Sequence, residues 1–261
     1  MLNERKIPAS LIHLLVTMLI AALAAALVFW KWYPSPFDEF AGGLQLFWLI
    51  VGVDVVCGPL LTWILIRKEK TRLALTVDIC MIAALQLGAL AYGLHSLSQA
   101  RPLALVYEVD RFRVISYADL PEDELNALPG WVRPWRFGEI RTMGLRSTTT
   151  LDEKLESVNA SLQGVEPSQR PSWWQDYALS VPQVLARAKP LSELRQKHPA
   201  RQEILDTALR KADAVSLPGE TSDPKDLRWL PLVGRRSMGW VALIDPVSAR
   251  IRGYAALDGF D

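Results

Sequence analysis

Three apolar stretches within the first hundred residues constrain this chain more than any other feature. A helix crossing the hydrocarbon core of a bilayer needs about 20 consecutive apolar residues. Leu11 to Trp30, Leu44 to Ile66 and Leu73 to Leu97 each supply them. The first holds no formally charged side chain, the second only Asp54, and the third only Asp78, with His95 near its end. Short connectors force consecutive helices to run antiparallel. The chain therefore reads as a membrane protein: three transmembrane helices over about 11–31, 44–66 and 73–97, within a region 1–100, followed by a small α+β extracytoplasmic domain over 101–261. The first stretch shares Arg5, Lys6 and an Ala-rich middle with cleaved signal peptides. Val28, Phe29 and Trp30 extend it beyond the roughly 7–15 apolar residues of such a peptide, so it reads as an uncleaved anchor.

Charge placement sets the orientation. Arg67, Lys68, Lys70 and Arg72 join the second and third stretches, and Arg5 and Lys6 precede the first, whereas Lys31 alone, beside Asp38 and Glu39, lies between the first and second. The positive-inside rule then places the N-terminus in the cytoplasm and residues 98–261 outside it. Trp30, Trp32, Tyr33, Phe37, Phe40, Phe47, Trp48 and Tyr92 are expected to form an outer interfacial belt, with Trp63 at the inner face. Of 29 basic and 28 acidic residues, only 7 and 6 fall in the first 97 positions, leaving 22 of each in the remainder. A net charge of +1 with no basic block excludes an electrostatically bound nucleic acid. Cys57 and Cys80 both lie in apolar stretches, so the charged half has neither a disulfide framework nor a zinc knuckle. No metal or cofactor is expected.

A mid-helix Asp costs about 2.5–3.5 kcal/mol on insertion scales, and so calls for a use. Asp54 lies about 15 Å below the outer interface, and Gln86 at roughly the same depth on the next span, so the two are within reach of a hydrogen bond. The pair is either an internal staple or a socket for another membrane helix. Asp78 is expected to reach toward Arg72 or the headgroups. Gly58 and Pro59 follow Asp54, and Pro59 should kink the span and open the carbonyl of Val55. Ala22 and Ala26, flanked by Ala21 and Ala25, form a small-residue face suited to close helix packing, either internal or with a partner.

Beyond Pro102, Leu103 to Val109 and Arg113 to Tyr117 read as strands, and Asp119 as the cap of a short helix containing Glu122, Asp123 and Glu124. Thr150 and Glu153 form a capping-box pattern, with Leu151, Leu155, Val158 and Leu162 on one face and Gly164 past the end. A second amphipathic helix, about Ala200 to Ala212, turns Ile204, Leu205, Ala208 and Leu209 inward. Trp229 to Val233, Trp240 to Ile244 and Ile251 to Leu257 read as strands, the last two joined by the Asp245 to Ala249 turn. N- and C-terminal strands are expected to share one sheet.

The catalytic search is negative. His198 is the one histidine of this half, Ser237 lacks nucleophile-elbow spacing, and no phosphate loop or paired-His motif occurs. Glu108 and Asp110 share a strand face by being two apart. Arg111, Arg113, Arg235, Arg236, Arg250 and Arg252 cluster in the strand-rich parts, as a solvated or partner-facing surface.

Val53-Asp54-Val55-Val56, Gly58-Pro59-Leu60-Leu61-Thr62, the basic loop, Asp78, Gln86 and Tyr92-Gly93 together resemble the membrane half of the TfpX/TfpZ family of type IV pilin accessory proteins. Arg101-Pro102, the strand through Val106 and Asp110-Arg111-Phe112 extend the likeness, as do Leu230-Pro231-Leu232-Val233, Asp245 and Leu257-Asp258. Residues 130 to 226 carry it more weakly, and Cys57 replaces an expected aliphatic residue. The resemblance implies an inner-membrane protein that assists a type IV major pilin and modulates surface piliation, with no enzymatic activity and no established site residues. Before assembly such a pilin rests in the membrane by its N-terminal apolar helix, its head in the periplasm. The expected contacts to the pilin helix are Asp54, Gly58, Pro59, Gln86, Ala22 and Ala26, and to the head Arg111, Arg113, Arg235 and Arg236. The competing readings are a membrane-anchored enzyme modifying pilin or an envelope glycan with carboxylates as acid and base, and a sensor, for which the short cytoplasmic parts leave little material.

Overall fold

The computed structural model describes residues 6–65, 71–132, 140–234 and 237–260. Three long apolar helices precede a mixed α/β unit built on an eight-stranded sheet. The chain divides into two compact units, Met1–Arg101 and Pro102–Asp261.

In the first unit, α1 (Lys6–Leu27) continues through a π-helical turn, Val28–Trp32. A single turn, α2 (Phe37–Phe40), leads to α3 (Gly43–Leu65), and α4 spans Arg72–Ala100. The runs Ser10–Trp32, Gly43–Ile64 and Leu73–Ala100 are long and apolar enough to cross a membrane. Thr71 caps α4 by accepting from the Ala74 amide. The aromatic belt is divided. Trp30, Trp48, Tyr92 and Trp63 are exposed on the helices, but Trp32, Tyr33, Phe37 and Phe47 are buried. Tyr33 is drawn in because its hydroxyl donates to the Leu97 carbonyl at 3.0 Å, and Phe47 because it meets Phe29 edge-on at 5.0 Å. The basic residues Arg67, Lys68 and Lys70 lie outside the described residues, as does the side chain of Arg72.

In the second unit, β1 (Pro102–Glu108) and β2 (Arg111–Ser116) form a hairpin turning at Val109, whose φ is 58°. β3 (Arg141–Leu145) lies parallel to β1, and β4 (Trp174–Asp176) antiparallel to β3. β6 (Arg228–Val233), β7 (Trp240–Ile244) and β8 (Ile251–Ala255) form a meander whose β6 runs parallel to β2. The strand order is β4-β3-β1-β2-β6-β7-β8, with β5 (Lys189–Pro190) also beside β6. The first and last strands thus share one sheet, as expected from the sequence. All seven residues of β1 are buried, as a central strand covered on both faces requires.

α5 (Leu151–Leu162), α6 (Val181–Arg187), α7 (Leu191–Lys197) and α8 (Gln202–Asp213) complete the unit. α8 lays Leu205, Leu209 and Ala212 on a core that includes Leu194, Trp229 and Leu243. Ile204, expected to point inward, is 38% exposed at the edge of that stripe. Asp119 does not cap the following helix. Its carboxylate turns back to accept from the Ser116 amide and hydroxyl, and Pro121 occupies the cap of the 3-10 segment Glu122–Ala127. α5 carries the expected cap, Thr150 accepting from Glu153 N, and Gly164 ends it at a φ of 87°. Among the described residues nothing covers its apolar face, and no residue of α5 is buried.

Candidate functional site

The inward face of α3 follows Phe47, Val51, Gly58 and Thr62, all buried. Asp54, three residues after Val51 and four before Gly58, lies on the same face. It is eleven residues from each end of α3, about 16 Å along the axis and thus at mid-span.

Asp54 and Gln86 meet, though not as the two side chains were expected to. The Gln86 Nε2 donates to the backbone carbonyl of Asp54 at 3.1 Å. Gly58 makes this approach possible, since a Cβ there would stand 2.2 Å from Gln86 Nε2. α3 runs through Pro59. The carbonyl that Gln86 reaches is one residue before the Val55 carbonyl left open by proline.

The other end of the amide engages a residue that the pattern reading passed over. Gln86 Oε1 lies 2.8 Å from His13 Nε2, and His13 Nδ1 lies 2.5 Å from the Thr62 hydroxyl. The carbonyl of Asp54 only accepts, which fixes Nε2 of Gln86 as donor and leaves Oε1 to accept. His13 then donates through Nε2–H and accepts from Thr62 at Nδ1. One neutral tautomer satisfies every group in the chain Thr62, His13, Gln86, Asp54 carbonyl. Thr17 adds a bond from its hydroxyl to the His13 carbonyl at 2.9 Å. The signal for this seam was available: His13 is the only ionisable side chain in an otherwise uncharged apolar run.

With Gln86 committed, the carboxylate of Asp54 accepts no hydrogen bond and forms no ion pair among the described residues, although it lies half-buried on the inward face. Ala22 and Ala26 are exposed, while Ala24 packs inward at 6%. The predicted small-residue face is thus not used within the helix bundle. The cysteines, Cys57 and Cys80, are free and exposed.

The arginines expected to face a partner are divided. Arg235 and Arg236 lie outside the described residues. Arg111 pairs with Asp110 at 2.8 Å and lies over Phe260, and Arg113 is within 3.4 Å of Glu108 and 3.8 Å of Glu166. Arg252 leaves the surface reading altogether, and Arg250 stays about a third exposed but is tied to Glu220. Arg252 is fully buried, 3.3 Å from Asp245, and donates to the carbonyls of Ala212 and Thr221. Arg250 clasps Glu220 and, through that hydrogen bond above all, pulls its carboxyl down to about 2. Burial alone would raise Asp245, but amides of Ser248, Thr221 and Val247 outweigh it and hold the group below its usual value. These groups pin the β7–β8 turn to the loop after α8.

Clefts open on this unit, and two of them are lined by described residues. The larger, about 460 Å³, is lined by Arg113, Asp119, Gln169 and Ser237 among others. Asp119 is its one carboxylate among the described residues and is already bonded to Ser116. The second, about 360 Å³, lies between Val109, Arg146, Val158 and Trp173. Glu108, which borders it, accepts from the Ser168 amide and hydroxyl and so serves as a buried anchor rather than half of an acid–base pair with Asp110. His198 Nε2 lies 2.7 Å from the Asp258 carbonyl and ties down the C-terminal segment. Among the described residues no His, Cys, Asp or Glu group has a metal-binding arrangement.

Comparison with known proteins points one way. The family described as "Fimbrial assembly protein FimB" matches residues 3–42. The fimbrial assembly protein of serogroup I of Dichelobacter nodosus is 36% identical over 252 residues, covering 96% of this chain and 94% of that protein. The serogroup E1 protein of the same organism is 35% identical over the same span. That of serogroups C1 and C2 is 44% identical over 114 residues, 44% of this chain and 87% of that protein. No solved structure matches.

Proposed function

The chain belongs to the fimbrial assembly protein FimB family, and from that premise we propose that it acts in fimbria biogenesis by holding a pilin subunit in the membrane before assembly. The TfpX/TfpZ resemblance implies the coarser part of this, a protein that assists a type IV pilin; holding the subunit is the step proposed beyond it. Asp54 is the contact to the apolar helix of the subunit, and the second unit, on the periplasmic side, meets the subunit's head. Basic residues around the N-terminus and between α3 and α4 support that orientation.

The observation that carries the proposal is the unpartnered carboxylate of Asp54 at mid-span. Keeping it there costs about 2.5–3.5 kcal/mol. The internal staple that would have used it is made from a backbone carbonyl instead, which any residue at position 54 would supply. A second helix bearing a hydrogen-bond donor at that depth recovers part of the cost, and the exposed Ala22 and Ala26 offer it a close approach.

Co-purification of the pilin with the full chain from detergent tests this. Asp54→Asn keeps a hydrogen-bonding side chain and should retain capture. Asp54→Leu should lower it about three- to twentyfold, the equivalent of one intramembrane hydrogen bond of about 0.6–1.7 kcal/mol. Undiminished capture by Asp54→Leu at equal protein level removes Asp54 from the interface.

A further inference from the structure

α5 is a twelve-residue helix with its apolar side turned to solvent. Leu151 is 72% exposed, Leu155 54%, Val158 52% and Leu162 82%. The spacing 4-3-4 is that of a heptad seam, in which every such residue packs against a facing helix. A contiguous stripe of this kind marks an interaction surface. Interactions at its N-terminus, and the ion pair of Glu156 with Arg170 at 2.9 Å, rather than a core beneath it hold the helix in place. Glu153 accepts from the Thr149 amide at 2.7 Å and from Arg146 at 2.5 Å, while Thr150 accepts from Glu153 N at 3.1 Å.

We propose that the stripe pairs with α5 of a second copy of this chain, the two helices antiparallel about a two-fold axis. The spacing reads the same in both directions, so Leu151 of one copy meets Leu162 of the other, and Leu155 meets Val158. Such self-complementarity is what a two-fold interface requires. Charge selects the antiparallel sense. The charged residues of α5 all lie in its first half, and the second half has none. Antiparallel pairing sets Asp152 opposite Ser161, Lys154 opposite Asn159 and Glu156 opposite Ser157. Parallel pairing would set the acidic first turn against its own copy. One twelve-residue seam falls short of the roughly 800 Å² per partner of a typical stable complex. Confinement of both copies to one membrane raises their effective concentration and offsets the deficit.

Cross-linking of the full chain in lipid vesicles tests the arrangement. The second unit has no cysteine, so Cys57→Ser and Cys80→Ser give a clean background. Leu151→Cys and Leu162→Cys chains are reconstituted separately and as a mixture, then oxidised. Across the antiparallel seam residues 162 and 162 of the two copies are about 16 Å apart, beyond the roughly 7 Å that a disulfide spans. Only the mixture should give a covalent dimer, and adding Leu155→Glu to both chains should abolish it without lowering thermal stability. Overturning results are a dimer from Leu162→Cys alone, no dimer from the mixture, a dimer indifferent to Leu155→Glu, or cross-linking only to added pilin.

Discussion

Gly58→Ala should be destabilising because of Gln86, and should cease to be so when Gln86 is gone. A methyl group at position 58 would stand 2.2 Å from Gln86 Nε2 and 2.9 Å from its Cδ. The flexible end of the side chain must then move, giving up its bonds to the Asp54 carbonyl and to His13. Two intramembrane hydrogen bonds at about 0.6 kcal/mol each, and at most about 1.7, amount to about 1–3 kcal/mol. Alanine in a helix interior regains about 1 kcal/mol over glycine. The wild-type background should therefore show a net loss of up to about 2 kcal/mol, and a Gln86→Ala background a gain approaching 1 kcal/mol. The assay is a double-mutant cycle on the full chain in mixed micelles, with tryptophan fluorescence following reversible unfolding. A coupling of about 1–3 kcal/mol is expected. Additivity within about 0.5 kcal/mol would refute the claim that Gly58 exists to admit the amide, and with it the seam's role in holding α3 to α4.

Arg252→Met should destabilise the second unit by about 3–5 kcal/mol, since Asp245 stays buried after its cationic partner is lost; a denaturant melt showing under 1 kcal/mol would contradict this. Glu220, 4% exposed by side chain and held at about 2 by Arg250, has a lowered folded-state pKa. Its contribution is therefore present in full above its ordinary value of 4.5 and lost as pH falls toward 2. Thermal melts between pH 5 and 2 should show the loss, at most about 3 kcal/mol, and Glu220→Gln should flatten the profile; an unchanged slope would assign the acid sensitivity elsewhere.

The parts of the architecture legible in sequence were those written in periodicity. The three spans, the strands β1, β2, β6, β7 and β8 with the β7–β8 hairpin, and both amphipathic helices follow from runs of apolar residues or their spacing. β3, β4 and β5 were not foreseen, because Arg141–Leu145, Trp174–Asp176 and Lys189–Pro190 are too short and too mixed to carry an alternation. Tertiary pairing makes them strands: β3 with β1, β4 with β3 and β5 with β6. In the bundle, equal depth correctly brought Asp54 and Gln86 together, yet depth cannot say which atoms bond. The choice of the backbone carbonyl depends on a glycine one turn away, and the role of His13 on α1 approaching both other helices. Arg252 looked like a surface residue because alternation on a strand gives a face, not what covers it; the loop after α8 covers it, and also holds the partly exposed Arg250.

The same limit applies in reverse to α5. A helical period ordinarily means one face against a core, and Leu151, Leu155, Val158 and Leu162 have the period without the core. A twelve-residue helix is marginal in water on its own. Here Thr150, Thr149 and Arg146 fix its first turn around Glu153, whose carboxyl Arg146 foremost brings down to about 2. The cap and the ion pair display an apolar stripe that folding of this unit does not use. Asp54 presents the same logic in the membrane: its carbonyl is taken into the internal seam while its carboxylate, the costly part, is left available. In each case the side chains that hold the element in place are distinct from the groups left open. Either open group can therefore be engaged or released without disturbing the side chains that position it.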